Sequence, residues 1–364
     1  MSRGLGDVYK RQRQSKECAV QLNLKKYLSD RGYGAAFFLF CGLLVVMAVV
    51  SIGWGRLYIS PVHVVKIVLS SVFSIEQTWT DQAASAIFMI RLPRVLSAMM
   101  IGAALALSGA AYQSVFKNPL VAPDMLGVSS GACVGASLAI LLGLPSISVQ
   151  IGAFIGGILA VICAVSIPKI IGKNSIIMLV LSGIIVSGLM SSVLGIIKYL
   201  ADSETQLPEI TYWQLGSLVN VIWGNILYSG IPILLCVIFM FLVRWKMNIL
   251  TLGDVEIHML GNRSAWLRYG IILTATVLTA CSVCISGTIG WIGLVIPHFA
   301  RMLVGADNQK LIPLSAVLGA VFLLFIDTVS RASMSAEIPL SILTGLIGAP
   351  FYFYLLVKER LALR

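Results

Sequence analysis

Uncharged stretches of about twenty residues recur along the chain, separated by short charged or glycine- and proline-bearing breaks. That spacing matches the ~20 residues with which an α-helix crosses a ~30 Å hydrocarbon core. Ten such blocks lie near 35–52, 95–116, 125–142, 151–168, 175–197, 222–243, 269–285, 289–303, 311–330 and 340–357. The run 95–116 holds 22 uncharged residues between Arg94 and Lys117, which predicts one clean span with Arg91 and Arg94 at a single water interface. The uncharged run 125–168 is twice a span, and Gly143-Leu144-Pro145 divides it into two helices.

Composition narrows the class. With 58% hydrophobic and 11% charged residues, the chain reads as an all-α polytopic membrane protein of about ten transmembrane helices. The net charge of +11 does not point to nucleic acid, because Lys and Arg gather in every second loop. Those loops are the amino-terminal tail, Lys169 with Lys173, the stretch from Arg244 to Arg268, Arg301 with Lys310, and Lys358 with Arg360. By the positive-inside rule that side is cytoplasmic and holds both termini, while Glu76, Asp81, Asp202, Glu204, Glu209 and Glu337 lie opposite. The expected organisation is a cytoplasmic tail over 1–32, a permease domain over 33–358 with a cytoplasmic segment at 245–265, and a short tail at 359–364. The first dozen residues, with Asp7 to Gln12, read as an adapter translation, and no cleaved signal is expected.

The chain offers little chemistry of its own. Gly172-Lys173-Asn174-Ser175 lacks the leading glycine and the hydroxyl after lysine that a phosphate-cradling loop needs. Three histidines and scattered cysteines form no catalytic or metal-ligand pattern, so no enzyme and no bound cofactor are expected. Cys281-x-x-Cys284 reads as packing. Gly102, Ala106 and Gly109, the pair Gly152 and Gly156, and the pair Gly183 and Ser187 predict close helix contacts. Gly287-x-x-Gly290-x-x-Gly293, followed by Pro297, predicts a short or broken helix beside a passage.

Two features point to partners. The segment 250–261 sets Asp254, Glu256 and His258 among Leu250, Leu252, Val255, Met259 and Leu260, giving an apolar ridge hinged at Gly253. It suits a partner protein or, alternatively, the lipid surface. Arg91, Arg94 and Arg331 remain as cations on a largely acidic face, which suggests an acidic partner, and Asp327 with Arg331 forms an i,i+4 pair.

The chain resembles the FecCD family, the permease subunits of iron-siderophore, haem and cobalamin ABC importers. The resemblance rests on ordered blocks: Arg91-Leu92-Pro93-Arg94, Gly102 to Gly109, Gln113, and Asn118-Pro119-Leu120-x-x-Pro123-x-x-Leu126-Gly127. Further blocks are Trp213-x-x-Gly216-Ser217, Leu252-Gly253, Leu260-Gly261 and Gly293-Leu294-Val295-x-Pro297-His298-x-x-Arg301. Asp327-x-x-x-Arg331, Glu337-x-Pro339 and Gly348-Ala349-Pro350-Phe351 complete the series.

The resemblance implies a homodimer of ten-helix protomers working by alternating access. Two ATPase subunits would use the ATP, and a bilobed extracytoplasmic binding protein would select an iron-siderophore, haem or cobalamin cargo. It implies docking of that binding protein on Arg91, Arg94 and Arg331, so that Arg91→Glu with Arg94→Glu should abolish uptake and leave basal ATPase activity. It further implies ATPase coupling through Leu250, Leu252, Gly253, Asp254, Glu256, Met259, Leu260 and Gly261. A gate and path would involve Asn174, Ser175, Ile176, Ile177, Ser182 and Gly183. Asp254, Ile257, Ile176 and Ile177 depart from the usual family pattern. The alternative is an ion-coupled secondary transporter, which should keep an ionisable group at mid-membrane depth.

Overall fold

The computed structural model describes residues 32–55, 57–172, 175–250, 264–333 and 337–362. They form α1 (Gly32–Gly53), α2 (Pro61–Ser70), α3 (Asp81–Phe116), α4 (Val128–Leu141), α5 (Ser146–Ile171) and α6 (Ile176–Leu200). There follow α7 (Gln206–Leu215), α8 (Trp223–Leu250), α9 (Ser264–Ser286), α10 (Ile292–Val304), α11 (Asn308–Ser333) and α12 (Leu340–Ala362). All ten uncharged blocks fall on helices, and α1, α3, α5, α6, α8, α9 and α11 are long and apolar enough to cross a bilayer.

Of the three remaining blocks, 340–357 lies on α12 and two form helices shorter than expected. The blocks 125–142 and 289–303 become α4, with 14 residues, and α10, with 13 residues. At ~1.5 Å per residue each reaches only ~20 Å, short of the ~30 Å core. The chain between α3 and α4 turns back into the bundle. Lys117 ends α3 in the left-handed region (φ 52°), a 3-10 turn runs over Pro123–Leu126, and Gly127 (φ 81°) opens α4. Gly127 lies against Val186 and Ser187, halfway along α6, so α4 starts deep inside the protein. The connection before α10 behaves alike: Trp291 takes φ 69° and packs on Gly345 and Gly348 of α12. The Gly287 to Gly293 run thus yields the broken helix expected of it.

α3 is the hub: 78% of its apolar window is buried, against 22% for α6 and 17% for α8. Its small residues let backbones touch. A Cβ on Gly102 would overlap the Gly319 carbonyl of α11, and one on Gly109 would overlap the Gly293 carbonyl of α10. The same logic joins α4 to α5 through Gly131 with Gly156 and Gly135 with Gly152. Polar side chains then link α3 to α9: Ser108 Oγ donates to the Ala275 carbonyl (2.9 Å) and meets Thr279 Oγ1 (2.7 Å), while Tyr112 OH meets Thr276 Oγ1 (2.9 Å). Cys281 and Cys284 are buried in this region as packing residues.

Two short helices were not anticipated. α2 starts at Pro61 behind Ser60, whose hydroxyl accepts from the His63 amide (3.4 Å), and buries Val64 and Ile67. α7 buries Ile210 and ends at Gly216 with φ 74°. Gly216 sits against the Ser286 and Thr288 carbonyls, and its own carbonyl accepts from the Leu340 amide (3.0 Å), so it ties α7 to the starts of α10 and α12.

Candidate functional site

The end of the bundle that holds Arg91 brings Arg94, Arg331, Asp327 and Glu337 into one cluster. Arg94, part-way along α3 just after Pro93, reaches two carboxylates from distant parts of the chain. Its Nε donates to Asp327 Oδ1 (2.9 Å), and its Nη1 and Nη2 form a fork with Glu337 Oε1 (2.9 Å) and Oε2 (2.7 Å). Arg331, one turn beyond Asp327 on α11, pairs with Asp327 Oδ2 (3.2 Å) and donates to Ser51 Oγ (2.6 Å) and the Ser51 carbonyl (3.1 Å) of α1. The i,i+4 pair expected from sequence is therefore present. Arg91 donates to the Ile52 carbonyl (2.7 Å), the Gly53 carbonyl (3.2 Å) and the Leu57 carbonyl at the end of α1. Two cations and two anions balance within the Arg94, Arg331, Asp327 and Glu337 group, and α1, α3, α11 and the start of α12 are pinned by it.

This geometry places the three arginines of the docking expectation inside the bundle. The Arg94 side chain is 7% exposed and Arg331 10%, because Asp327, fully buried, draws both guanidinium groups inward. Arg91 is equally buried against backbone carbonyls. In this arrangement the three arginines tie helices together through bonds within the protomer. The sequence offers Glu337 as an acidic residue of the outer loops and as part of the Glu337-x-Pro339 block. Its side chain, 33% exposed, turns out to be the half-open rim of the cluster. The signal available in the sequence was the placing of an acidic residue a few positions after Arg331.

Glu337 also stands at the edge of a cleft of about 900 Å³ lined by α5, α7 and the turns around Gly216 and Gly287. Gln150, Glu209, Asn220 and Ser217 are its polar walls, and Trp213 and Tyr212 its aromatic ones. Asp202, in the connection from α6, accepts from Thr205 Oγ1 (2.7 Å), the Thr205 amide (2.9 Å) and the Glu204 amide (3.1 Å), which holds its carboxyl below the usual range. A carboxyl lowered in this way stabilises the turn at any pH above its unfolded value of ~3.9, and the contribution is lost only as pH falls through the lower folded value.

The expected gate residues separate. Ser175 caps α6, its hydroxyl accepting from the Met178 amide (3.2 Å); Ile176 is half-buried, and Ile177 is exposed. Ser182 bonds back to the Met178 carbonyl (2.7 Å), and a Cβ on Gly183 would overlap the Met125 carbonyl. Ser182 and Gly183 are thus buried on the face that packs the turn Pro123–Leu126, because α6 needs a small residue where that turn approaches. The opposite face, with Ile177, Leu181, Ile184, Ile185, Gly188 and Leu189, is exposed and uncharged. Asn174 and the coupling residues Leu252, Gly253, Asp254, Glu256, Met259, Leu260 and Gly261 lie outside the described residues, while Leu250 ends α8 in a buried position.

Sequence reading passed over Asp124 and the role of Gln113. Asp124 is exposed on the inward turn, and Ser129 Oγ donates to it. Gln113 Nε2 donates to the Val121 carbonyl (3.2 Å) and the Gly293 carbonyl (3.2 Å), and its Oε1 accepts from Arg301, so one amide clasps both inward connections.

A sequence profile of the FecCD transport family matches residues 43–358. The molybdate import system permease protein MolB of Haemophilus influenzae is 41% identical over 318 residues, covering 87% of this chain and 93% of that protein. The hemin transport system permease protein HmuU of Yersinia pestis is 36% identical over 326 residues, covering 87% and 94%. A solved structure described as an inward-facing conformation of a candidate metal-chelate type ABC transporter aligns with TM-score 0.80 at 39% identity, over 88% of this chain and 98% of that one. The inward turns, the backbone contacts of α3 and the uncharged α6 face fit a subunit that conducts a solute and leaves ATP hydrolysis to a partner ATPase. The chain therefore belongs to the FecCD transport family, as the multi-pass permease subunit of an ABC importer.

Proposed function

We propose that this permease carries a metal-bearing solute, either a chelate such as an iron-siderophore, haem or cobalamin or an oxyanion such as molybdate. The cargo would arrive from a bilobed binding protein at the Arg91 end and leave into the cytoplasm at the opposite end, where both chain termini would lie. A second copy of the chain would complete the path, and two ATPase subunits would drive it through the segment 250–261. The ion-coupled alternative gives way to family membership, since an ABC importer draws on ATP.

The observation that carries the transport reading is the exposed, uncharged face of α6. With no cation or anion on that face, a path along it would pass a large solute by shape, and selection would rest with the binding protein. The gate would then lie near Ile177 and Leu181 rather than at Ser182 and Gly183. Docking would use the rim of the cleft around Glu209 and Asn220, with the arginine cluster as its rigid floor.

Gly188, with open space where a Cβ would stand, is the cleanest probe of that face. Gly188→Trp should lower uptake at least ~10-fold while expression and complex assembly stay unchanged, since a Cβ at this exposed position meets nothing within 4 Å in the protomer. Wild-type uptake by this variant would remove α6 from the path. For the cargo, cells lacking the chain would be compared with complemented cells for uptake of labelled ferric siderophore, haem, cobalamin and molybdate. Loss of one of the four supports the metal-bearing class, and retention of all four overturns it.

A further inference from the structure

We propose that the groove between α5 and α9, at the end of the bundle opposite Arg91, retains an anionic phospholipid of the cytoplasmic leaflet. The groove encloses about 500 Å³ and is lined by Val161, Ile162, Val165 and Lys169 of α5 with Trp266, Tyr269 and Leu273 of α9. From Val161 to Lys169 it runs ~12 Å along α5 at ~1.5 Å per residue, enough to seat the upper part of an acyl chain. Its walls change character along that length: aliphatic at the inner end, then Trp266, Tyr269 and Lys169 together at the mouth. This is the order in which a bilayer passes from hydrocarbon to headgroup.

The charge at the mouth commits the occupant. Lys169 Nζ stands over the Tyr269 ring, 5.1 Å from its centroid, and among the described residues no carboxylate lies within ion-pair distance of it. The ring orients the ammonium across the groove and leaves its other donors open to a phosphate. Trp266, 77% exposed, offers its indole at the same level. A cation fixed at the mouth of an apolar groove between membrane helices matches an anionic headgroup above an acyl chain, and the cytoplasmic leaflet supplies such lipids. A zwitterionic lipid would bring its own ammonium to Lys169 and gain less.

The permease, purified in mild detergent and reconstituted in nanodiscs of equal phosphatidylcholine and phosphatidylglycerol, would be examined by native mass spectrometry after controlled delipidation. Wild type should keep at least one phosphatidylglycerol that Lys169→Glu loses, with a fall in retained lipid of ~10-fold or more. Lys246→Glu, at an exposed lysine of α8, is the control for general surface charge and should retain it. Equal retention by wild type and Lys169→Glu, or equal loss in both variants, overturns the proposal. Cross-linking between two copies through Cys163, exposed on α5 near the groove, would also overturn it, by showing that a second protomer covers this surface. The result is independent of which cargo the permease carries.

Discussion

Arg94→Ala is expected to destabilise the protein by about 3–5 kcal/mol, the usual penalty for leaving a buried charge without its partner. Asp327 is fully buried and, among the described residues, takes hydrogen bonds or ion pairs from Arg94 and Arg331. Removing Arg94 leaves Asp327 with one cation and frees Glu337 from its fork, so the end of the bundle carries excess negative charge in a poorly solvated place. The readout is the yield and thermal midpoint of monodisperse protein in detergent. Arg94→Lys should rescue little, because a single ammonium cannot serve the Asp327 and Glu337 oxygens together. Arg91→Ala should be milder, since its partners are carbonyls and no buried charge is stranded. If Arg94→Ala were as stable as wild type yet dead in uptake, the cluster would be a docking surface after all.

The second large effect concerns the waist of the bundle. Gly109→Ala is expected to cost at least ~3 kcal/mol, the upper end of overpacking penalties, because the added methyl meets a carbonyl in place of a flexible side-chain tip. Its neighbours cannot give way: the Gly293 carbonyl it would strike is already bonded to Gln113, and Pro123 closes the other side of Gly293. Gly195→Ala is the matched control. Gly195 has open space around it on α6, and alanine there should be neutral or stabilising by ~0.5–1 kcal/mol through helix propensity. Thermal unfolding of the two variants beside wild type decides the point, and a stable Gly109→Ala would mean that α3 and α10 are further apart than described.

The existence of the helices was legible because membrane burial writes a simple signal, length without charge. Their depth was not, since an uncharged run reads the same whether the chain crosses the bilayer or turns inside protein, and so the sequence alone predicts full spans at 125–142 and 289–303. The glycines did announce the close contacts of α3, yet their partners, Gly319 and Gly293, lie far along the chain and leave no local periodicity. The arginines illustrate the same limit. Local reasoning placed them at an interface because isolated Arg is expensive in lipid, but Asp327 and Glu337 cancel that expense through contacts more than two hundred residues away from Arg94. α2 and α7 escaped because they are short and amphipathic, without a run of apolar residues long enough to stand out.

The half-length helices bear on how the protein is made. α4 and α10 are too short for the bilayer alone to hold them, so a nascent chain cannot insert either one as an independent span. α4 gains its footing when α5 follows it and Gly131 meets Gly156, which makes the two an obligatory hairpin. α10 also meets α11, which follows it, but its close backbone seat at Gly293 is on α3, completed long before on the ribosome. The amino-terminal half must therefore wait, already in the membrane with its groove at Gly109 open, until synthesis delivers Gly293, and chains released before that point are the ones a membrane protease should find first.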